Sequence, residues 1–266
     1  MSTSTRTDAM LVDREGAIGW ITFSNPARRN AVSLAMWQAL HAIVHELAED
    51  DAVRAIVVKG AGNQAFVSGA DISEFEQLRS SRETVRTYNH AAEQATEALR
   101  KVGKPTIAMI RGFCIGGGVS VALSCDLRIA GTGSRFGVPA ARLGLGYEFA
   151  GVRKLVNVVG PAYAKEIFYT ARQFSADEAL AMGLVNRVVA DDGLESAVRE
   201  CANGIAANAP LTVASIKTLV EQALKDESQR DPALCREVVD RCFESEDYVE
   251  GRTAFLEKRK PVFKGR

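Results

Sequence analysis

The chain has 266 residues, 47% of them apolar, and its 33 Lys and Arg are matched by 33 Asp and Glu. That length fits one large domain, with or without an appendage, and is enough to bury a sizeable core. A net charge of zero gives no sign of a nucleic-acid or membrane-surface protein, and no apolar run approaches the length of a membrane span. The polar start, residues 1–8, lacks the apolar segment of a secretory signal and reads as a frayed tail. Five scattered cysteines, Cys114, Cys125, Cys201, Cys235 and Cys242, form no CxxC pair and read as reduced, packed thiols of a cytoplasmic protein.

Residues 10–23 read as two short strands around Arg14-Glu15-Gly16, the second buried and ended by Asn25-Pro26. Ser33 is an N-cap for a helix reaching about Glu49, with Leu34, Trp37, Leu40, Val44 and Leu47 recurring at three and four. His41 and His45 share a face of that helix; without a third ligand nearby, a plain helix face is expected there and no metal site. Residues 54–59 form the next strand and 60–63 a turn, and Phe66-Val67-Ser68 is a short apolar piece running into Gly69-Ala70-Asp71. A helix is expected over 82–101, a strand over 106–110, a glycine turn at 116–118, a short helix over 119–124, and strands over 126–130 and 135–138. From 151 the signals are helical: 151–159, 161–170, 175–182, 191–208, 211–226, 231–245 and 246–256, with one strand at 186–189. Strand, strand, helix recurs every few tens of residues, which implies stacked turns and not an open nucleotide-binding sheet. We place a boundary at 195, between a core of 1–195 and a helical C-terminal subdomain of 196–266.

Two glycine turns have the same form: a strand ends, glycine admits an unusual backbone angle, and a helix starts. One is Ser68-Gly69-Ala70-Asp71 and the other Ile115-Gly116-Gly117-Gly118. Unpaired N–H groups at such turns can point at an anion, and two that converge are what an oxyanion hole requires. An isolated GGG most often serves chain reversal only. Neither turn is a dinucleotide GxGxxG or a phosphate-binding GxxxxGK[ST].

The segments AFVSGADISEF and KPTIAMIRGFCIGGGVSVALSCDLRIA closely resemble the crotonase superfamily, the enoyl-CoA hydratases and isomerases. NPARRNAV, SRFGVPAARLGLG, ARQFSADEALAMGLVNRVV and GRTAFLEKRKPVFKGR extend the likeness over nearly the whole chain. The resemblance implies an α/β fold, a spiral of ββα turns with a helical C-terminal subdomain that trimerises, and trimers that pair into hexamers. It also implies an acyl-CoA thioester as substrate, with coenzyme A part of that substrate and no separate cofactor. The oxyanion N–H groups fall on Ala70 and Gly117. Ala27, Arg28 and Arg29 correspond to a loop that contacts the CoA nucleotide. Ser68, Asp71 and Ile72 line the path of the substrate, and Phe255 and Lys258 match residues that reach CoA from the C-terminal helices. A family lysine is replaced by Ser73.

The two glutamates with which hydratases split water are also replaced. The GGGxE position is Ser120 and the FGxPE position is Ala140. Serine can orient a water but is a poor base, and alanine offers nothing. Glu148, eight residues past Ala140, resembles the single carboxylate of enoyl-CoA isomerases, with Tyr147 beside it as a hydrogen-bond donor. Double-bond isomerisation with Glu148 as proton shuttle is therefore the favoured reaction. Hydration by an atypical site and a non-catalytic CoA-ester binder are the alternatives. A thioesterase using Ser120 lacks a base, and Ser120 is expected to shape the acyl pocket. The arginines of 79–101 alternate with Glu83, Glu93 and Glu97, so a solvated mixed-charge helix is expected there and not an RNA-binding face.

Overall fold

The computed structural model describes residues 7–71 and 82–266. Its larger sheet is ordered β1 (Met10–Glu15), β2 (Ile18–Phe23), β3 (Ala55–Gly60), β5 (Thr106–Ile110), β7 (Leu127–Gly131), β10 (Arg187–Val189). Only the β1–β2 hairpin is antiparallel in it. The smaller sheet is ordered β4 (Ala65–Val67), β6 (Phe113–Ile115), β8 (Arg135–Gly137), β9 (Phe174–Ser175), parallel except for β8–β9. Three successive turns each give one strand to the larger sheet, one to the smaller, and then a helix. They are β3-β4-α2 (Arg82–Lys101), β5-β6-α3 (Gly117–Ser124) and β7-β8-α4 (Phe149–Thr170). This is the spiral of ββα turns that the resemblance implied, built of the stacked turns seen in the repeat.

Both faces of the middle of the larger sheet are covered, which is why β2, β3 and β5 are largely apolar. In β3, Ile56 and Val58 face a core shared with α1 (Leu34–Glu49), α2 and the smaller sheet. Ala55 and Val57 face the other way, against Leu194, Val198 and Ala202 of α6 (Leu194–Ala206). The boundary drawn at 195 cuts α6 from the sheet it covers; the helices beyond that layer are α7 (Pro210–Ala223), α8 (Pro232–Phe243) and α9 (Glu246–Leu256). Lys217 of α7 ties them back, its Nζ 2.8 Å from Asp126 Oδ2. Arg54 does the same through the carbonyls of Ala206 and Phe263.

Several expected elements shift. The expected helices 151–159 and 161–170 are present as the two halves of α4, parted where Gly160 takes a non-helical φ of 75° ahead of Pro161. Strand β6 was not expected, because three residues between Gly112 and Gly116 carry too little pattern to count. The short α5 (Ala176–Ala181) starts with a capping box between Ser175 and Glu178. His41 and His45 lie with ring centroids 4.6 Å apart. Cys114 and Cys125 are buried free thiols, and burial pushes the Cys125 thiol up to about 12. Among the described residues no helix is long and apolar enough to cross a membrane.

Candidate active site

The first glycine turn leaves the Ala70 N–H without an acceptor among the described residues. Val32 pairs with Ala70 in a parallel bridge: Val32 N donates to Gly69 O at 2.8 Å, and Asp71 N donates to Val32 O at 3.0 Å. In that pattern the paired residue turns its own N–H and C=O to the opposite side, so the Ala70 N–H points away from residue 32. It has no acceptor among the described residues. Gly69 holds φ at 116°, a conformation an L side chain rarely adopts. Tyr88 of α2 adds a bond from its hydroxyl to Val32 O at 2.9 Å, fixing the same peptide from above.

The second turn does the same by another route. Gly116 N donates to Gly137 O at 2.8 Å and Ser120 N to Gly116 O at 3.1 Å, while Gly117 is the first residue of α3. Its N–H is one of the orphan donors of a helix start and likewise has no acceptor among the described residues. Gly118 is required for a different reason. A β-carbon there would stand 2.2 Å from Val67 O, so only glycine lets α3 lie on the end of β4.

Because β4 pairs with β6, the two turns leave the smaller sheet at adjacent strand ends. A β-carbon on Gly117 would be 3.7 Å from the carbonyl carbon of Gly69, the atom bonded to Ala70 N. Two such donors can hold an oxygen that gains negative charge.

The expected CoA-contacting loop sits beside the first turn. Ser68 N donates to Arg29 O and Ser68 Oγ to Arg28 O, both at 3.2 Å. Arg28 Nη1 reaches both oxygens of Asp71 at 2.8 Å; Asp71 is buried while the Arg28 side chain is about half exposed. Arg29 lays its guanidinium over the Phe113 ring, 5.2 Å from the centroid. Ala27, Arg28, Arg29, Ser68, Ala70, Asp71 and Gly117 are thus brought together by the fold. Ile72 lies outside the described residues.

On the far side of Gly117, Ser120 is half-buried on α3 and Ala140 is buried in the short 3₁₀ turn Pro139–Leu143. Neither brings a carboxylate. Glu148 is exposed, at the N-cap of α4, and accepts from Asn89 Nδ2 at 3.4 Å. Tyr147 packs edge-on against Phe168 with centroids 4.8 Å apart and lines a small cavity with Ser120.

The family model for enoyl-CoA hydratase/isomerase matches residues 13–266. The chain belongs to the enoyl-CoA hydratase/isomerase family. It is 35% identical over 251 residues to the short-chain-enoyl-CoA hydratase of Clostridium acetobutylicum, covering 94% of this chain and 95% of that one. It is 32% identical over 254 residues to the crotonyl-CoA hydratase of Syntrophomonas wolfei, covering 96% and 97%. Among solved structures it resembles an enoyl-CoA hydratase/carnithine racemase from Magnetospirillum magneticum, with a TM-score of 0.94, 37% identity and coverage of 98% and 97%. An enoyl-CoA hydratase from Bacillus anthracis gives a TM-score of 0.92 at 31% identity, covering 97% and 100%.

Within the family frame, Phe255 and Lys258 stand apart. Phe255 is 83% exposed and lines an apolar cavity of about 600 Å³ between α7, α8 and α9 with Ile216, Phe243 and Tyr248. Lys258 is exposed just beyond the end of α9. Sequence reasoning missed Lys154, a half-buried residue that lines the cavity beside Ser120. Its Nζ donates to Ser124 Oγ at 3.2 Å and to Thr96 Oγ1 at 3.4 Å. Burial lowers its pKa; Glu97 and Glu93 oppose the shift, and Arg100 and Arg153 add to it. In the sequence Arg153-Lys154 is an ordinary basic pair on a helix, and only the packing of α2, α3 and α4 around it separates the two.

Proposed function

We propose that this protein binds the acyl thioester of an enoyl-CoA with its carbonyl oxygen on the N–H groups of Ala70 and Gly117. It then moves the double bond by proton transfer through Glu148. The observation that carries this reading is the pair of unpartnered N–H groups on two abutting turns. Removing a proton from C2 of a 3-enoyl thioester puts the electron pair into a dienolate, whose charge rests largely on the thioester oxygen. Two fixed donors stabilise that charge more than they stabilise the ground-state carbonyl. The proton taken by the carboxylate returns at C4, the double bond ends between C2 and C3, and nothing is added or lost. One carboxylate suffices, and the resemblance gives that role to Glu148, eight residues past Ala140.

A second reading is hydration, favoured by the names of the relatives from Clostridium acetobutylicum and Syntrophomonas wolfei. It asks for a base to take a proton from water and an acid to protonate C2. Ser120 and Ala140 stand where the family's hydratase glutamates would supply both. The choice is made by assaying a 3-enoyl-CoA and a 2-enoyl-CoA side by side, in wild type and Glu148→Gln. Migration faster than hydration, and lost in the variant, supports the shuttle. Fast hydration, or a fully active Glu148→Gln protein, assigns the hydratase reaction.

A further inference from the structure

Among the described residues Lys154 has no carboxylate in ion-pair contact. The hydroxyls it donates to are already committed as donors elsewhere, Ser124 Oγ to Ser120 O at 2.9 Å and Thr96 Oγ1 to Glu93 O at 3.2 Å. Both therefore accept from the ammonium, which keeps a third N–H in hand. Among the described residues no carboxylate makes an ion pair with it, and Glu97 on the facing helix is bonded to Arg100 and Lys101 instead. The side chain lines a cavity of about 10 Å³ with Ser120 and Tyr147, closed otherwise by apolar groups such as Leu123, Leu155 and Phe168. That is room for about one oxygen-sized group.

Ser120, three residues past Gly117 on α3, lines the cavity and relates it to the proposed thioester site. Ser124, the hydroxyl partner of Lys154, is seven residues along α3 from Gly117, roughly 10 Å at the rise of an α-helix. A short acyl chain whose carbonyl rests on Gly117 is long enough to span a distance of that order. An aliphatic end meets a buried ammonium there and leaves it without a counter-ion, whereas a carboxylate supplies one and makes a charge-assisted hydrogen bond.

We propose that Lys154 makes the blind end of the acyl pocket a carboxylate site, so that the preferred substrates are short acyl-CoA thioesters carrying a second, terminal carboxylate. The proposal rests on the thioester reading above and specifies its substrate class. One oxygen of that carboxylate fills the cavity, which Tyr147 and Ser120 also line.

Binding of two unreactive five-carbon probes separates the possibilities: glutaryl-CoA, which ends in a carboxylate, and pentanoyl-CoA, which does not. Calorimetry on the wild type should show glutaryl-CoA bound about tenfold more tightly. In Lys154→Met that ratio should fall to about one or invert. Lys154→Gln, which keeps hydrogen bonding but no charge, should behave likewise and covers the case in which methionine disturbs folding. Equal or tighter binding of pentanoyl-CoA by the wild type, or a preference that survives both substitutions, overturns the Lys154 site alone. Failure of the wild type to bind either probe overturns the thioester site as well, and the carboxylate site with it.

Discussion

The backbone of Gly117 abuts the peptide of Gly69: a β-carbon on Gly117 would meet the Gly69 carbonyl carbon at 3.7 Å and its Cα at 3.8 Å. These are ordinary contact distances, so Gly117→Ala should fold and keep most of its activity. Gly117→Pro is the informative change. Proline is accepted at the first position of a helix, yet it has no N–H. The variant should keep its Tm within a few degrees and lose roughly 10²- to 10³-fold in kcat, the usual cost of one oxyanion donor. Steady-state kinetics beside a thermal melt checks both halves.

Arg28 faces the opposite side of the first turn, half exposed and held by both oxygens of Asp71. That pairing fixes its guanidinium beside Ser68 and Ala70, where the nucleotide end of a CoA ester would pass. Arg28→Met should raise KM about tenfold with little change in kcat, since a phosphate contact binds ground and transition states alike. The wild-type KM should also rise more steeply with ionic strength than that of the variant. A variant with unchanged KM at both low and high salt removes Arg28 from the CoA site.

Acid stability should depend on Glu97. Its hydrogen bonds to Arg100, with help from Lys101, hold its carboxyl down to about 2 from an ordinary 4.5. A depressed carboxylate stabilises the fold above the unfolded-state value, and that stability is lost as pH falls from about 4.5 toward 2. The side chain is about a third exposed, so screening leaves about 1 kcal/mol at neutral pH. Glu97→Gln should melt lower than wild type at pH 7, and the two should converge near pH 2.

Helix α9 and the tail after it expose Phe255, Leu256 and Val262 at 83%, 80% and 70%. A face that apolar is expected to be covered in an assembly, and light scattering should report a trimer or a hexamer. Phe255→Asp with Leu256→Asp should reduce that mass. A stable monomer for the intact protein would contradict this reading of the C-terminal helices.

Much of this architecture was legible in the chain. The apolar residues of 54–59 announced strand β3, and Ser33 announced α1, where its Oγ accepts from Met36 N at 3.2 Å. The two glycine turns could be found because glycine is required there by φ at Gly69 and by the closeness of Val67 O at Gly118. What they do together was not legible from local pattern, since the β4–β6 pairing that joins them links residues nearly fifty positions apart. Lys154 was invisible for the same reason: its hydroxyl partners come from α2 and α3, not from its own helix. Glu148 is the converse case. Its position was read from the resemblance, and the structure shows an exposed carboxylate near Asn89 rather than a buried one.

The central claim is that two backbone N–H groups polarise a thioester carbonyl, and a vibrational measurement reads that directly. Isotope-edited infrared difference spectra of an acyl-CoA labelled with ¹³C at the thioester carbonyl should show the band move to lower frequency on binding the wild type. In Gly117→Pro, at saturating ligand, the shift should be clearly smaller, because Ala70 alone remains to donate. A bound thioester whose carbonyl band does not move, or moves equally in both proteins, would contradict the assignment of these turns.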